Sequence, residues 1–175
     1  MCIYNVDGCV GKIFLFFWLR AETKHRTKYK HRKIRDKYPN LIFTTWETVD
    51  RPRQVIVSDM TAFWAGYKYW ELTMYFDVFT KQILSWSLSY KRGDRRTYIN
   101  GLKDLLEILD GVPDENHITV IHTDQGSVYA SVAYNKLITD PNIKRSMSRA
   151  GKPTDNPVNE SLNGWIKEEL FLDFN

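Results

Sequence analysis

The sequence predicts an α/β domain, and three observations carry that prediction. Three consecutive segments rich in aromatic and β-branched residues, "QVIVSDMTAFW", "YWELTMYFDVFT" and "QILSWSLSY", follow one another across short turns, as an antiparallel meander would. Leucines at helical spacing come next and open a run in which helices and short strands alternate. The later segment "HITVIHTD" is apolar on both faces, which suits a central strand covered by helices.

Residues 1–23 show no clean period, and residues 24–53, with Pro39 and Pro52, read as a basic and then polar connector. The expected organisation is an N-terminal segment and basic arm over 1–53 and a folded core over 54–175. In the first strand Val55, Val57, Asp59 and Thr61 share one face, because strand side chains alternate. "AGYK" turns the chain into the second strand. Asp94 is suited to cap a helix that carries Tyr98, Leu102, Leu105, Leu106 and Leu109 until Gly111 and Pro113 stop it. After "HITVIHTD" the pattern predicts a helix from about Val128 to Ile138 and a short strand around Ile143 to Met147. The last helix has Asn156 as its N-cap and Pro157 at its first position. The resulting order is β-β-β-α-β-α-β-α, with no internal repeat.

The chain has 175 residues, 43% hydrophobic and 14% aromatic, enough for one domain with a real core. The apolar run Ile13 to Leu19 falls well short of the ~20 residues that span a bilayer, so no membrane association is expected. Cys2 and Cys9 make no zinc-like pairing, and a reduced, cytoplasmic setting is expected. The net charge of +4 is unevenly placed. Lys24, Arg26, Lys28, Lys30, Arg32, Lys33, Arg35 and Lys37 face only Asp36 in their window, so the rest of the chain is net acidic. Such a run is either a solvated arm or a set of phosphate contacts.

Three acids stand out by position. Asp59 lies inside an apolar strand, Asp124 ends the strand expected at the centre, and Glu160 falls in the first turn of the last helix. One buried carboxylate commonly reflects a salt bridge or a turn; a carboxylate in a covered sheet costs several kcal/mol unless paired or metal-bound, so three together ask for a cation. On the last helix Val158, Leu162, Trp165 and Ile166 form an apolar stripe, while Glu160, Asn163 and Lys167 fall together on the other side. Oxygen donors without His or Cys suit Mg²⁺ or Mn²⁺. Two such ions, ~4 Å apart, serve phosphoryl displacement, and that chemistry would give the basic run a nucleic-acid substrate.

The segments "RPRQVIVSDMTAFW", "ELTMYFDVFTKQILSWSLSYKRGDRRTYI", "IHTDQGSVYAS" and "SMSRAGKPTDNPVNESLNGWIKEEL" resemble the integrase-type DDE catalytic core of bacterial insertion-sequence transposases, relatives of retroviral integrases. The 35 residues between Asp124 and Glu160 match the spacing of that signature. The resemblance implies an RNase H-like fold: a five-stranded mixed sheet, three antiparallel strands then two parallel ones, with helices on both faces. It implies Asp59, Asp124 and Glu160 as the metal-binding catalytic triad with two Mg²⁺ or Mn²⁺ ions. Gln125, Gly126 and Ser127 match the segment after the second acid, and Asn163 and Lys167 match polar positions that face DNA. The implied activity is DNA nicking followed by strand transfer, by a homo-oligomer on DNA, with a helix-turn-helix protein as a further partner. Two rivals are a truncated, non-catalytic DNA-binding remnant and an RNase H-like nuclease that cuts without joining.

Overall fold

The computed structural model describes residues 38–43, 45–111, 117–149 and 156–174, within the unit Asp36–Asn175. β1 (Val55–Ala65), β2 (Lys68–Asp77) and β3 (Ile83–Ser89) form the antiparallel meander, and α1 (Arg96–Asp110) follows. β4 (Thr119–Thr123), α2 (Val132–Asn135), β5 (Ile143–Met147) and α3 (Pro157–Phe174) complete the domain. The sheet order is β3-β2-β1-β4-β5, with β4 parallel to both β1 and β5. The expected mixed sheet of five strands is therefore present, and β1 and β4 are neighbours at its centre.

Both faces of the central strands are covered. On one face Ile56, Tyr75 and Ile121 meet Leu102 and Leu105 of α1, with Tyr98, Leu106 and Leu109 packed at the margin. Each fully buried leucine contributes about 1.5–3 kcal/mol relative to exposure. On the other face Val55, Val57, Phe76 and Val78 meet Ile42, Trp46 and Val49, joined by Val158 and Leu162 of α3. The segment that reads as a connector thus supplies part of the core. Its backbone is tied in as well: the Leu41 N–H donates to Ser146 Oγ at 2.9 Å and the Met147 N–H to the Pro39 carbonyl at 3.3 Å.

Local chemistry explains most element ends. The N-cap of α1 is Arg95, one residue later than expected, and Asp94 serves the helix start from just before it by accepting the Arg96 N–H at 3.1 Å. The expected long helix over 128–138 is instead a turn followed by the single-turn α2. The Ser131 backbone is extended, its hydroxyl accepts the Tyr134 N–H, and Asn135 Nδ2 donates back to the carbonyls of Tyr129 and Ser131, closing the turn on itself. α3 starts at Pro157 as expected, but Asn156 does not cap it through its side-chain oxygen, which is buried without a partner. Trp165 leaves the predicted apolar stripe and is 70% exposed. The helix presents the edge between Leu162 and Asn163 to the sheet, and Trp165 lies about 160° from Asn163 on a wheel of ~100° per residue.

Gly101 marks the closest approach of α1 to the sheet. A Cβ there would come within 2.9 Å of the Tyr75 ring. That ring is fully buried, and its hydroxyl bonds the Tyr98 carbonyl at 3.1 Å and the Tyr134 hydroxyl at 2.9 Å, so it has no room to yield. Overpacking costs about 1–3 kcal/mol, against about 1 kcal/mol gained by Ala over Gly in a helix. Gly101→Ala is expected to lower the urea midpoint; an unchanged or raised midpoint would show that the helix can shift away.

Candidate active site

Strand register builds the centre of the site. Val55 pairs with Val120, Val57 with His122 and Ser58 with Thr123. One residue further the same register brings Asp59 beside Asp124, both on the face toward α3, since partners in a parallel ladder share a face. Beneath them the Ser58 and Tyr129 hydroxyls meet at 3.0 Å, and the buried His122 has Nδ1 2.8 Å from Ser146 Oγ and its ring edge-on to Trp46.

Asp59 is partly buried. Its Oδ1 accepts the Met60 N–H at 2.8 Å and its Oδ2 accepts Asn163 Nδ2 at 3.0 Å. Burial foremost, and then the Asp124 charge, push its carboxyl up to about 6, while these two hydrogen bonds and the Lys167 ammonium act the other way. Asp124 opens more to solvent. Burial of the carboxyl group still raises it above the ordinary range, against the Gly126 N–H, which bonds Oδ1 at 2.9 Å. A Cβ at Gly126 would stand 2.8 Å from that same oxygen, so glycine permits the loop to fold onto the carboxylate. Tyr98 registers both charges: burial first, then Asp124 and Asp59, push its hydroxyl up to about 12.

α3 crosses beside this pair. Asn163 touches Asp59, Lys167 lies close enough to act on it electrostatically, and position 160 is one turn before Asn163 on the same side of the helix. The polar line is therefore next to the packed stripe, where sequence reasoning set it opposite. The Glu160 side chain lies outside the described residues, as does the whole basic run from Lys24 to Lys37. Gln125 is half-buried in the loop between Asp124 and Gly126, and Ser127 is exposed. Among the described residues no group of three His, Cys, Asp or Glu side chains comes together around a metal position. The donors that do meet are two carboxylates, an all-oxygen pair whose burial and mutual repulsion a hard cation would relieve.

Sequence reasoning does not find Tyr129 and Tyr98 around the pair. Tyr129 does carry a signal, as a large aromatic five residues beyond Asp124 in an otherwise small-polar stretch. No helix among the described residues is long and apolar enough to cross a membrane.

Residues 49–153 match the integrase core domain family. The transposase for insertion sequence element IS904 of Lactococcus lactis is 32% identical over 167 residues, covering 94% of this chain and 63% of the relative. The transposase for insertion sequence element IS629 of Shigella sonnei is 31% identical over 123 residues, covering 69% of this chain and 39% of the relative. The chain thus spans less than two thirds of the length of these relatives. Among solved structures, the Mos1 transposase catalytic domain with raltegravir and Mn aligns with a TM-score of 0.56 at 14% identity, over 74% of this chain and 66% of that one. A simian T-cell lymphotropic virus intasome chain aligns with a TM-score of 0.52 at 24% identity, over 67% of this chain and 39% of that one. At such identities the two structures speak for the fold alone, which is RNase H-like. By its sequence match, its sheet and its insertion-sequence relatives, this chain belongs to the integrase core domain family.

Proposed function

We propose that this chain is the catalytic core of a DNA transposase, a divalent-metal-dependent polynucleotidyl transferase that nicks DNA at an element end and joins the freed 3′ hydroxyl to target DNA. The observation that carries the reading is the register of β1 and β4, which sets Asp59 beside Asp124 with raised carboxyl pKa values, next to the helix that bears Glu160. Asp59 and Asp124, with Glu160 as the third acid, would hold Mg²⁺ or Mn²⁺. When bound, such ions lower the pKa of the attacking oxygen and stabilise charge on the leaving one.

The chain's own residues have separable tasks. The Met60 and Gly126 N–H groups fix one oxygen of each aspartate, leaving the other oxygens to meet a cation and, on Asp59, the Asn163 amide. Lys167 supplies an exposed positive charge beside Asp59, suited to a DNA phosphate. Gln125, half-buried and next to Asp124 in the chain, is a further candidate DNA contact. The run Lys24 to Lys37 would add affinity without sequence preference. Joining two DNA ends in one event requires more than one site, so the reading includes a homo-oligomer on DNA.

The test uses a labelled duplex that ends in the terminal repeat of the encoding element. Joined product is expected in Mg²⁺ or Mn²⁺ and none in excess chelator. Cutting without joining would favour a nuclease, and metal-independent binding with neither activity would identify a remnant.

A further inference from the structure

The β1–β2 hairpin tip and the β3–α1 turn meet at the end of the sheet that also bears the aspartates, and neither has a part in the site described above. The tip sequence "FWAGYKYW" turns on Gly66, whose φ of 55° lies in the left-handed region. Exposure there is unusual for rings: Tyr67 is fully exposed, Tyr90 77% and Trp64 65%. The rings are nevertheless ordered by contacts, in two groups on opposite faces of the hairpin, since Trp64 is the cross-strand partner of Tyr69 and Phe63 that of Trp70. Trp64 packs edge-on to Tyr69 at 5.5 Å, Trp70 to Tyr90 at 6.4 Å, and the Arg92 guanidinium lies 4.9 Å over the Tyr69 ring.

A buried acid holds the two turns together. Glu71 is 2% exposed and accepts the Tyr69 hydroxyl at 2.8 Å, the Gly93 N–H at 2.7 Å and the Asp94 N–H at 3.1 Å. Asp94 in turn pairs with Arg96 at 2.9 Å. Both local acids are thus consumed inside the structure, while Lys68, Lys91, Arg92 and Arg95 stand exposed around the rings. The outward field is positive. A second copy of the same patch would meet like charge, whereas a phosphate backbone would meet its complement.

We propose that this aromatic and cationic tip is a DNA-binding subsite, gripping the backbone with its cations and offering Tyr67 as a stacking platform to unpaired bases. The proposal rests on the transposase reading, which supplies the DNA, and gives it a direction. Ala65 is six residues beyond Asp59, about 20 Å along β1 at ~3.3 Å per residue. A duplex laid along β1 would meet the tip about six base pairs from the reacting phosphate, at ~3.4 Å per base pair.

The experiment measures affinity of the whole chain, without metal, for duplexes that end about three or about ten base pairs beyond the reacting phosphate, across a salt series. The triple variant Lys68→Gln, Lys91→Gln, Arg95→Gln changes only exposed side chains. It is expected to lower the salt slope on the long duplex by about 0.9 for each phosphate no longer neutralised and to leave the short duplex unaffected. Tyr67→Ala should weaken binding to a duplex with a single-stranded extension about tenfold, with the slope unchanged. Wild-type slope and affinity in the triple variant on the long duplex would overturn the proposal. So would a shift in sedimentation toward smaller species at constant DNA affinity, which would make the tip a protein contact. Because binding is read without turnover, a failed strand-transfer assay with intact tip effects would sink the catalytic reading alone.

Discussion

Glu160→Gln is expected to depress nicking and joining together, by about 10²–10³-fold, with DNA affinity and melting temperature close to wild type. The scale is that of removing one preorganised electrostatic contact from a reacting centre. The substitution keeps side-chain length and nearly all helix propensity while removing one negative charge. Position 160 lies one turn before Asn163, which touches Asp59, and on the proposed reading the charge removed is that of the third metal ligand. Gel assays of both steps, with melting and binding measured on the same preparation, separate catalysis from folding. Wild-type strand transfer by the Gln variant in Mg²⁺ would refute the three-carboxylate reading.

The second large effect is on stability, and its sign is set by Asp59. The folded protein holds this carboxyl at about 6, above its ordinary value of 3.8. The native state therefore binds more protons than the unfolded chain between those values. Stability falls as pH rises through that window. Metal-free protein is expected to lose on the order of 2 kcal/mol between about pH 4 and pH 6.5 from this group, with Asp124 adding in the same direction. Asp59→Asn should flatten that slope and make the metal-free protein more stable at pH 7, while losing activity. Mg²⁺ should raise wild-type stability increasingly above pH 6, because only the ionised carboxylates are ligands. Denaturation at several pH values, with and without Mg²⁺, checks each part. Stability that climbs from pH 4 to 6.5 without metal would contradict the assignment.

The fold is legible in the sequence where one force dominates. The meander, α1 and β5 are specified by apolar periodicity and by short turns around Gly66 and Gly93, which need no information from elsewhere in the chain. The shortness of α2 is not legible, because it depends on Asn135 folding back onto the Tyr129 and Ser131 carbonyls. The exposure of Trp165 escapes the sequence for a related reason. A helical wheel gives relative azimuths but no absolute one, and the Asn163 to Asp59 hydrogen bond on one side and Leu162 packing on the other set the rotation of α3. The core role of Ile42 and Trp46 is a tertiary fact, invisible in a polar, proline-bearing segment.

Within the candidate site, the nearness of Asp59 and Asp124 is legible because each sits on or at the end of an apolar strand. Their surroundings are not, since Tyr98 and Tyr129 approach from distant parts of the chain. The hairpin tip carries no mark in the sequence either. Its rings read as ordinary strand residues, and only the buried Glu71, which ties one turn to the other, brings aromatics and cations from both segments to one end of the sheet.

The parallel pairing of β1 with β4 also makes the sheet a ruler. Neighbouring strands lie about 4.8 Å apart, so the backbone separation at Asp59 and Asp124 is set by ladder hydrogen bonds and hardly by side chains. A ruler of this kind tolerates changes of residue type far better than changes of length. One residue inserted in β4 ahead of Asp124 would turn its carboxylate to the α1 face. The same insertion at the tip of the β1–β2 hairpin, beyond Ala65, would leave the β1–β4 register untouched. Insertion and deletion are thus confined by arithmetic in β1 ahead of Asp59 and in β4, and permitted at the β1–β2 tip.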